Sequence, residues 1–134
     1  MKDTNYKFKI FVWIIKGIAV FIMLQTLFFK FSASEESVFI FSTLGIEPWG
    51  RIGTGVIELI ASLLLIIPRT TFLGAFISVG LMSGAILSHL LFLGIEVKND
   101  NGQLFLFALI VFFISIYIAF LNKSQFSNLL KLKI

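Results

Sequence analysis

Residues 57–69 read IELIASLLLIIPR. An unbroken apolar run that ends in proline and arginine is typical of a helix leaving a lipid bilayer. Glu58 is the exception in the run, because a carboxylate inside a bilayer is costly and normally faces other polar groups within a helix bundle. The stretch therefore predicts a membrane-spanning helix with a polar site on its buried face.

The composition of the whole chain agrees with a lipid environment. Of its 134 residues, 58% are hydrophobic and 13% are charged, whereas about a quarter of a soluble domain is charged. The chain has no cysteine and one histidine, which argues against thiol redox chemistry and against multi-histidine haem or zinc sites. We predict no metal site, no intrinsic cofactor and no nucleic-acid partner, because the net charge of +4 comes from basic residues at span ends.

Four stretches approach the roughly 20 apolar residues that a helix needs to cross a bilayer. They cover about residues 10–30, 52–68, 71–94 and 104–121. We therefore predict an all-α integral membrane protein, an antiparallel bundle of four transmembrane helices in a single domain spanning residues 1–134. The tail 123–134 mixes leucine with lysine and is predicted to lie along the membrane interface.

The basic residues predict that both termini are cytoplasmic. In that orientation the cytoplasmic segments hold seven basic residues: Lys2, Lys7, Lys9, Arg69, Lys123, Lys131 and Lys133. The outer segments hold three: Lys30, Arg51 and Lys98. This excess follows the positive-inside rule, and the protein is predicted to be a multi-pass protein of the bacterial cytoplasmic membrane.

Two spacings predict how the helices pack. Gly80, Gly84 and Ser88 recur every four residues, a pattern that lets a neighbouring helix approach closely. Arg51, Gly55, Glu58 and Ser62 share one face of the second span, which is expected to point into the bundle.

Depth in the bilayer brings several polar residues to one level. Glu58 lies seven residues after Arg51, so it is about 10 Å below the outer surface, and His89 is about 8 Å from its own span end. Lys30 lies at the end of the first span, on the same side of the bilayer. The predicted polar site comprises Gln25, Thr26, Lys30, Arg51, Glu58 and His89.

Two interpretations of this site stay open. One is a structural plug, in which Lys30 or Arg51 neutralises Glu58 and His89 donates a hydrogen bond. The other is a functional site that binds the polar head of an apolar ligand or passes protons. Lys16, in the inner part of the first span near Trp13, is predicted to extend toward the cytoplasmic headgroups.

Three segments, in order, resemble the DoxX family of small bacterial four-helix membrane proteins. They are LFFKF at the end of the first span with Lys30, GTGVIELIASLLLIIPR with Glu58, preceded by Gly45, and SGAILSHLLFLGI with His89. The resemblance covers about residues 17–121. It implies a functionally mixed group that includes relatives linked to a quinone-reducing oxidoreductase, membrane partners of redox enzymes and distant receptor-assembly chaperones.

The residue pattern predicts no specific reaction and is compatible with two functions. The first is a quinone- or lipid-interacting accessory subunit of a membrane redox system, with quinone as the expected cofactor and a larger membrane protein supplying the electron carriers. The second is a non-catalytic assembly, chaperone or partner-binding subunit. In both, the chain is expected to associate with lipid and with a larger membrane protein or further copies of itself.

Overall fold

The computed structural model describes the backbone of residues 2–132 and the side chains of residues 5–128. Its six α-helices are α1 (Lys2–Phe31), α2 (Glu35–Thr43), α3 (Trp49–Ile66), α4 (Thr71–Ser88), α5 (Gln103–Leu121) and α6 (Lys123–Leu132). A 3-10 turn at Pro68–Thr70 joins α3 to α4, and a π-helical turn at His89–Leu93 continues α4. The last two residues of the predicted tail lie outside the described range.

Four of these helical segments are long and apolar enough to cross a bilayer. They are Asn5–Phe31, Trp49–Ile66, Pro68–Leu93 and Gln103–Leu121. The predicted all-α membrane fold with four spans is therefore confirmed. The span boundaries differ modestly from the predicted ones, since the first helix begins at Lys2 and the third ends at Ile66.

The four spans form a ring in the order α1, α3, α4, α5, and adjacent helices run antiparallel. A Cβ on Gly55 of α3 would touch the Phe31 ring at the end of α1, and Phe11 near the start of α1 packs against Tyr117 near the end of α5. The core between them holds fully buried apolar side chains such as Met23 and Ile118. The two ends of the bundle are named here the Lys30 end, which carries α2, and the Arg69 end, which carries α6.

The predicted close approach at Gly80 and Gly84 is wrong. A Cβ built on either glycine meets no atom within 4 Å. Gly74 makes the close approach instead, because a Cβ there would lie 2.5 Å from the Leu65 backbone nitrogen and 2.9 Å from the Ala61 carbonyl oxygen. The absence of a side chain at Gly74 thus lets α3 and α4 pack backbone to backbone near their connecting turn.

Helix α2 lies between the first two predicted spans, where the sequence patterns predict no helix. Ser34 caps it by accepting a hydrogen bond from the backbone N–H of Ser37 at 3.2 Å, and Gly45, with φ of +79°, follows its end. Phe41 is buried, so α2 packs against the ends of the spans. It covers part of the Lys30 end.

Helix α6 is tied to the opposite end of the bundle through Gln125. Its side chain accepts a hydrogen bond from the backbone N–H of Phe72 at 2.9 Å and donates one to the carbonyl of Pro68 at 2.8 Å. The rings of Phe72 and Phe126 lie 5.6 Å apart. These contacts fix the start of the tail beside the α3–α4 turn.

Candidate functional site

A cavity of about 370 Å³ lies among the spans at the Lys30 end. All four spans and α2 contribute to its wall. Most of the lining is apolar, including Met23, Phe41 and Phe107. The polar lining includes Thr26, Lys30, Glu36, Thr54, Glu58 and His89. An apolar chamber with a few convergent polar groups is the usual form of a small-molecule site.

Glu58 is the most deeply buried charged residue of the cavity wall, with 1% of its surface exposed. Lys30 Nζ lies 2.5 Å from its Oε1, and the Thr26 hydroxyl donates to its Oε2 at 2.6 Å. Each carboxylate oxygen of Glu58 therefore has a donor supplied by α1. This pairing offsets part of the desolvation free energy of placing a carboxylate within a membrane helix.

Arg51 serves a different carboxylate. Its Nε lies 2.8 and 3.0 Å from the two carboxylate oxygens of Glu47, one turn earlier in the chain. Its guanidinium also donates to the backbone carbonyl of Lys30. Arg51 is thus joined to the end of α1, but it does not neutralise Glu58 and is absent from the cavity wall.

His89 begins the π-helical turn and is 5% exposed. Its Nδ1 lies 2.9 Å from the carbonyl oxygen of Gly94. Since a carbonyl only accepts, Nδ1 carries the proton and Nε2 remains without a hydrogen-bond partner among residues 5–128. The ring packs edge-on against Phe105 at 5.6 Å. The π-turn, a feature often found at functional sites, therefore fixes a histidine in the cavity wall with one ring nitrogen uncommitted.

Gln25 lies in a neighbouring recess of about 540 Å³, together with Glu36 and Lys98. Thr26 and Glu36 belong to the walls of both the recess and the main cavity, so the two spaces adjoin. Gln25 makes no hydrogen bond to Glu58 within the described side chains. The recess places polar groups between the cavity and the surface of the Lys30 end.

Glu36, in the first turn of α2, was missed from the sequence. Its Oε1 is buried and has no hydrogen-bond partner among the described side chains. Burial raises the pKa of the Glu36 carboxyl, and the nearby Asp100 raises it further. The sequence gives a local signal for the start of a helix here, because Ser34 is followed by acidic residues and an apolar pattern. Its position over the cavity depends on tertiary packing.

Asp100 organises the connection between the π-turn and α5. It accepts hydrogen bonds from the backbone N–H groups of Val97, Gly102 and Leu104 at 3.0, 2.9 and 3.3 Å. Burial works against ionisation of Asp100, but these three donors, together with His89, lower the pKa of its carboxyl. A fixed negative charge therefore stands near His89 and Glu36.

Lys16 is not part of the cavity wall. Its position agrees only in part with the predicted extension toward the cytoplasmic headgroups. Its ammonium group sits 4.3 Å from the centre of the Trp13 ring, one turn nearer the chain start, which is the predicted direction. The residue is nevertheless only 8% exposed, because neighbouring side chains cover it. A lysine that reached freely to the headgroups would be more exposed.

These features define the chain as a small four-span membrane protein with a largely apolar cavity, carrying a few polar groups, at one end of its bundle. The comparison with known families then assigns it. Residues 14–118 match the model of the DoxX-like family, which is most of the chain, and the protein belongs to that family. No curated protein and no solved structure gives a significant match.

Proposed function

We propose that this protein binds a membrane-soluble ligand of the quinone or lipid class, as an accessory subunit of a redox system in the bacterial cytoplasmic membrane. The observation that carries the proposal is the placing of Lys30, Glu58 and His89 in the wall of one largely apolar cavity. A ligand with a polar head and an apolar body needs this combination. The chain's redox role would depend on a partner, since it has no cysteine and one histidine with which to hold electron carriers.

The chemistry of the wall suits a head that both accepts and donates hydrogen bonds. The Lys30 ammonium has three N–H donors and directs one toward Glu58. The Nε2 of His89 accepts a hydrogen bond from a hydroxyl in the tautomer that the structure favours, and donates one when the ring is protonated. A quinone carbonyl and a quinol hydroxyl thus both have a partner of the right kind.

The proposal is tested by gentle purification followed by mass spectrometry of bound small molecules and proteins. Two double variants provide the comparison. Lys30→Met with Glu58→Leu removes the ion pair in the cavity wall, whereas Glu47→Gln with Arg51→Gln removes an ion pair outside it. We expect a quinone or a defined lipid with the parent and the second variant, and its loss from the first.

Two results would contradict ligand binding. One is retention of the ligand by both double variants. The other is a parent protein that carries no quinone or selected lipid and instead purifies with a stoichiometric protein partner. The second result would favour the assembly or chaperone function, in which the Lys30–Glu58 pair only holds the bundle together.

A further inference from the structure

The seam between α3 and α4 opens toward the Lys30 end. Gly74, Leu81 and Ser88 are spaced by seven residues, or two turns, and so lie along one stripe of α4. At Gly74 this stripe meets the backbone of α3. At Leu81 and Ser88 the same stripe lines the cavity. The two helices therefore touch near their turn and leave a space between them farther along.

Two exposed glycines of α4 border that space. Gly80 and Gly84 are both exposed and both line the cavity, and the space where a Cβ would stand is open at each. On the other side, Thr54 lines the cavity from α3. It lies two turns from Ala61, the residue that faces Gly74, so Thr54 is on the flank that faces α4. Thr54 and the two glycines therefore stand on opposite sides of the gap between α3 and α4.

The cations nearest the cavity are already paired with carboxylates. Lys30 is paired with Glu58, and Arg51 is paired with Glu47. An anionic head would therefore find no uncommitted cation among these residues, and it would meet the buried oxygen of Glu36. The ring nitrogen Nε2 of His89 is the group in the wall that still lacks a hydrogen-bond partner among residues 5–128, and His89 is more than nine-tenths buried. These groups favour a neutral head with hydroxyl or carbonyl groups over a phosphate.

We propose that the gap between α3 and α4 is a lateral entrance for a neutral, single-chain quinone, whose ring lies between Lys30 and His89 and whose chain passes Gly80 and Gly84 into the bilayer. The inference rests on the proposed function and adds the entry route and the ligand's charge and chain number. The cavity of about 370 Å³ is at the small end of ligand sites, which run from roughly 300 to 1,000 Å³. It accommodates a quinone ring and the start of its chain.

The test uses two photoreactive probes in phosphatidylcholine vesicles, an azidobenzoquinone without a chain and the same ring with a long alkyl chain. The variant Gly80→Leu with Gly84→Leu fills the entrance. Gly17→Leu is the matched control, since Gly17 is also exposed with open space at its Cβ and lies outside the cavity wall. We expect the entrance variant to lose labelling of cavity residues by the long-chain probe roughly tenfold or more, and to keep labelling by the ring alone, which reaches the cavity through the recess.

The other outcomes of this labelling experiment test the entrance, the ligand class and the charge of the head separately. Undiminished long-chain labelling in the entrance variant overturns the lateral entrance but leaves the proposed function standing. Absence of labelling by both probes in the parent overturns quinone as the ligand of the proposed function and leaves a lipid as its only remaining ligand class. Displacement of the long-chain probe by phosphatidylglycerol overturns the neutral head. If the melting temperature of the double variant falls below that of Gly17→Leu, Gly84→Ala adds a single methyl group at the entrance and is expected to give a smaller loss of the same kind.

Discussion

The pair formed by Lys30 and Glu58 places two opposite charges in the wall of the cavity. Taking two charges out of water costs several kcal/mol per ion, and the pairing repays this only when the remaining hydrogen-bond positions are filled. Thr26 fills one of them on Glu58. A buried pair of this kind is costly to break from one side, because the remaining charge is stranded.

Glu58→Gln is predicted to lower the free energy of unfolding by about 3–5 kcal/mol, because it leaves the Lys30 ammonium without a counter-charge. Lys30→Met with Glu58→Leu removes both charges and is expected to recover a large part of that loss. The measurement is the melting temperature and denaturant midpoint of each variant in the same detergent. A Glu58→Gln protein as stable as the parent would show that the pair serves the ligand and not the fold.

At the scale of helices, the four spans were predictable because length and hydropathy alone decide whether a segment can cross a bilayer. The role of the glycines was not. Gly74 and Gly84 look alike in sequence, yet one touches a backbone and the other faces an open space, and only the splay of α3 from α4 distinguishes them. Helix α2 was not predicted because, at 9 residues, it is too short to match the pattern of a membrane-spanning helix.

Gly74→Ala is therefore predicted to destabilise the protein, by about 1–3 kcal/mol or more, since its new methyl group would clash with backbone atoms that cannot move independently. Gly84→Ala is the matched control and is expected to leave stability near that of the parent, because its methyl group enters open space. Thermal unfolding of the two variants side by side checks this. Equal destabilisation would contradict the described packing of α3 on α4.

Helix α2 gives the Lys30 end a pH-dependent contribution through Glu36. The folded state raises the pKa of this carboxyl above its ordinary value of 4.5. Below that value Glu36 is protonated in both states and has no effect, whereas stability is lost as the pH rises from there through the raised pKa. Asp100 behaves oppositely, since its lowered pKa makes its stabilising contribution fall away in more acidic solution.

Glu36→Gln is accordingly predicted to raise the melting temperature relative to the parent above the folded-state pKa and to make no difference below pH 4.5. Asp100 remains in both proteins, so its titration largely cancels in the difference between them. Melting curves across this range provide the measurement. A Glu36→Gln variant that is less stable than the parent at neutral pH would show that the ionised carboxylate has a favourable partner.

For the whole molecule, depth along each span predicted that Lys30 and Thr26 approach Glu58, because straight helices advance about 1.5 Å per residue. It did not predict that Arg51 pairs with Glu47 or that Gln25 lies in the neighbouring recess. It placed Lys30, Thr26 and His89 at the level of Glu58. It left open which cation neutralises Glu58, since that depends on helix rotation and on Glu47, which holds Arg51. Glu36 lies on α2, outside the four spans, so depth in the bilayer could not predict its position.

The charge distribution predicts that both termini and the Arg69 end face the cytoplasm. Single cysteines can be placed in this cysteine-free chain at Glu36, Arg69 and Asn99. A membrane-impermeant thiol reagent added to intact cells is expected to label the first and third positions, and to label the Arg69 position only after the membrane is opened. Labelling at Arg69 in intact cells would reverse the topology.

The proposed function requires that the cavity at the Lys30 end holds the head of a membrane ligand. A crystal structure of the parent grown from a lipidic mesophase containing a long-chain quinone tests it most directly. We expect density for one ring in contact with Lys30 or His89, with a chain leaving beside Gly84. A structure in which the cavity is filled by rearranged side chains, with the quinone only on the outer surface of the bundle, would contradict it.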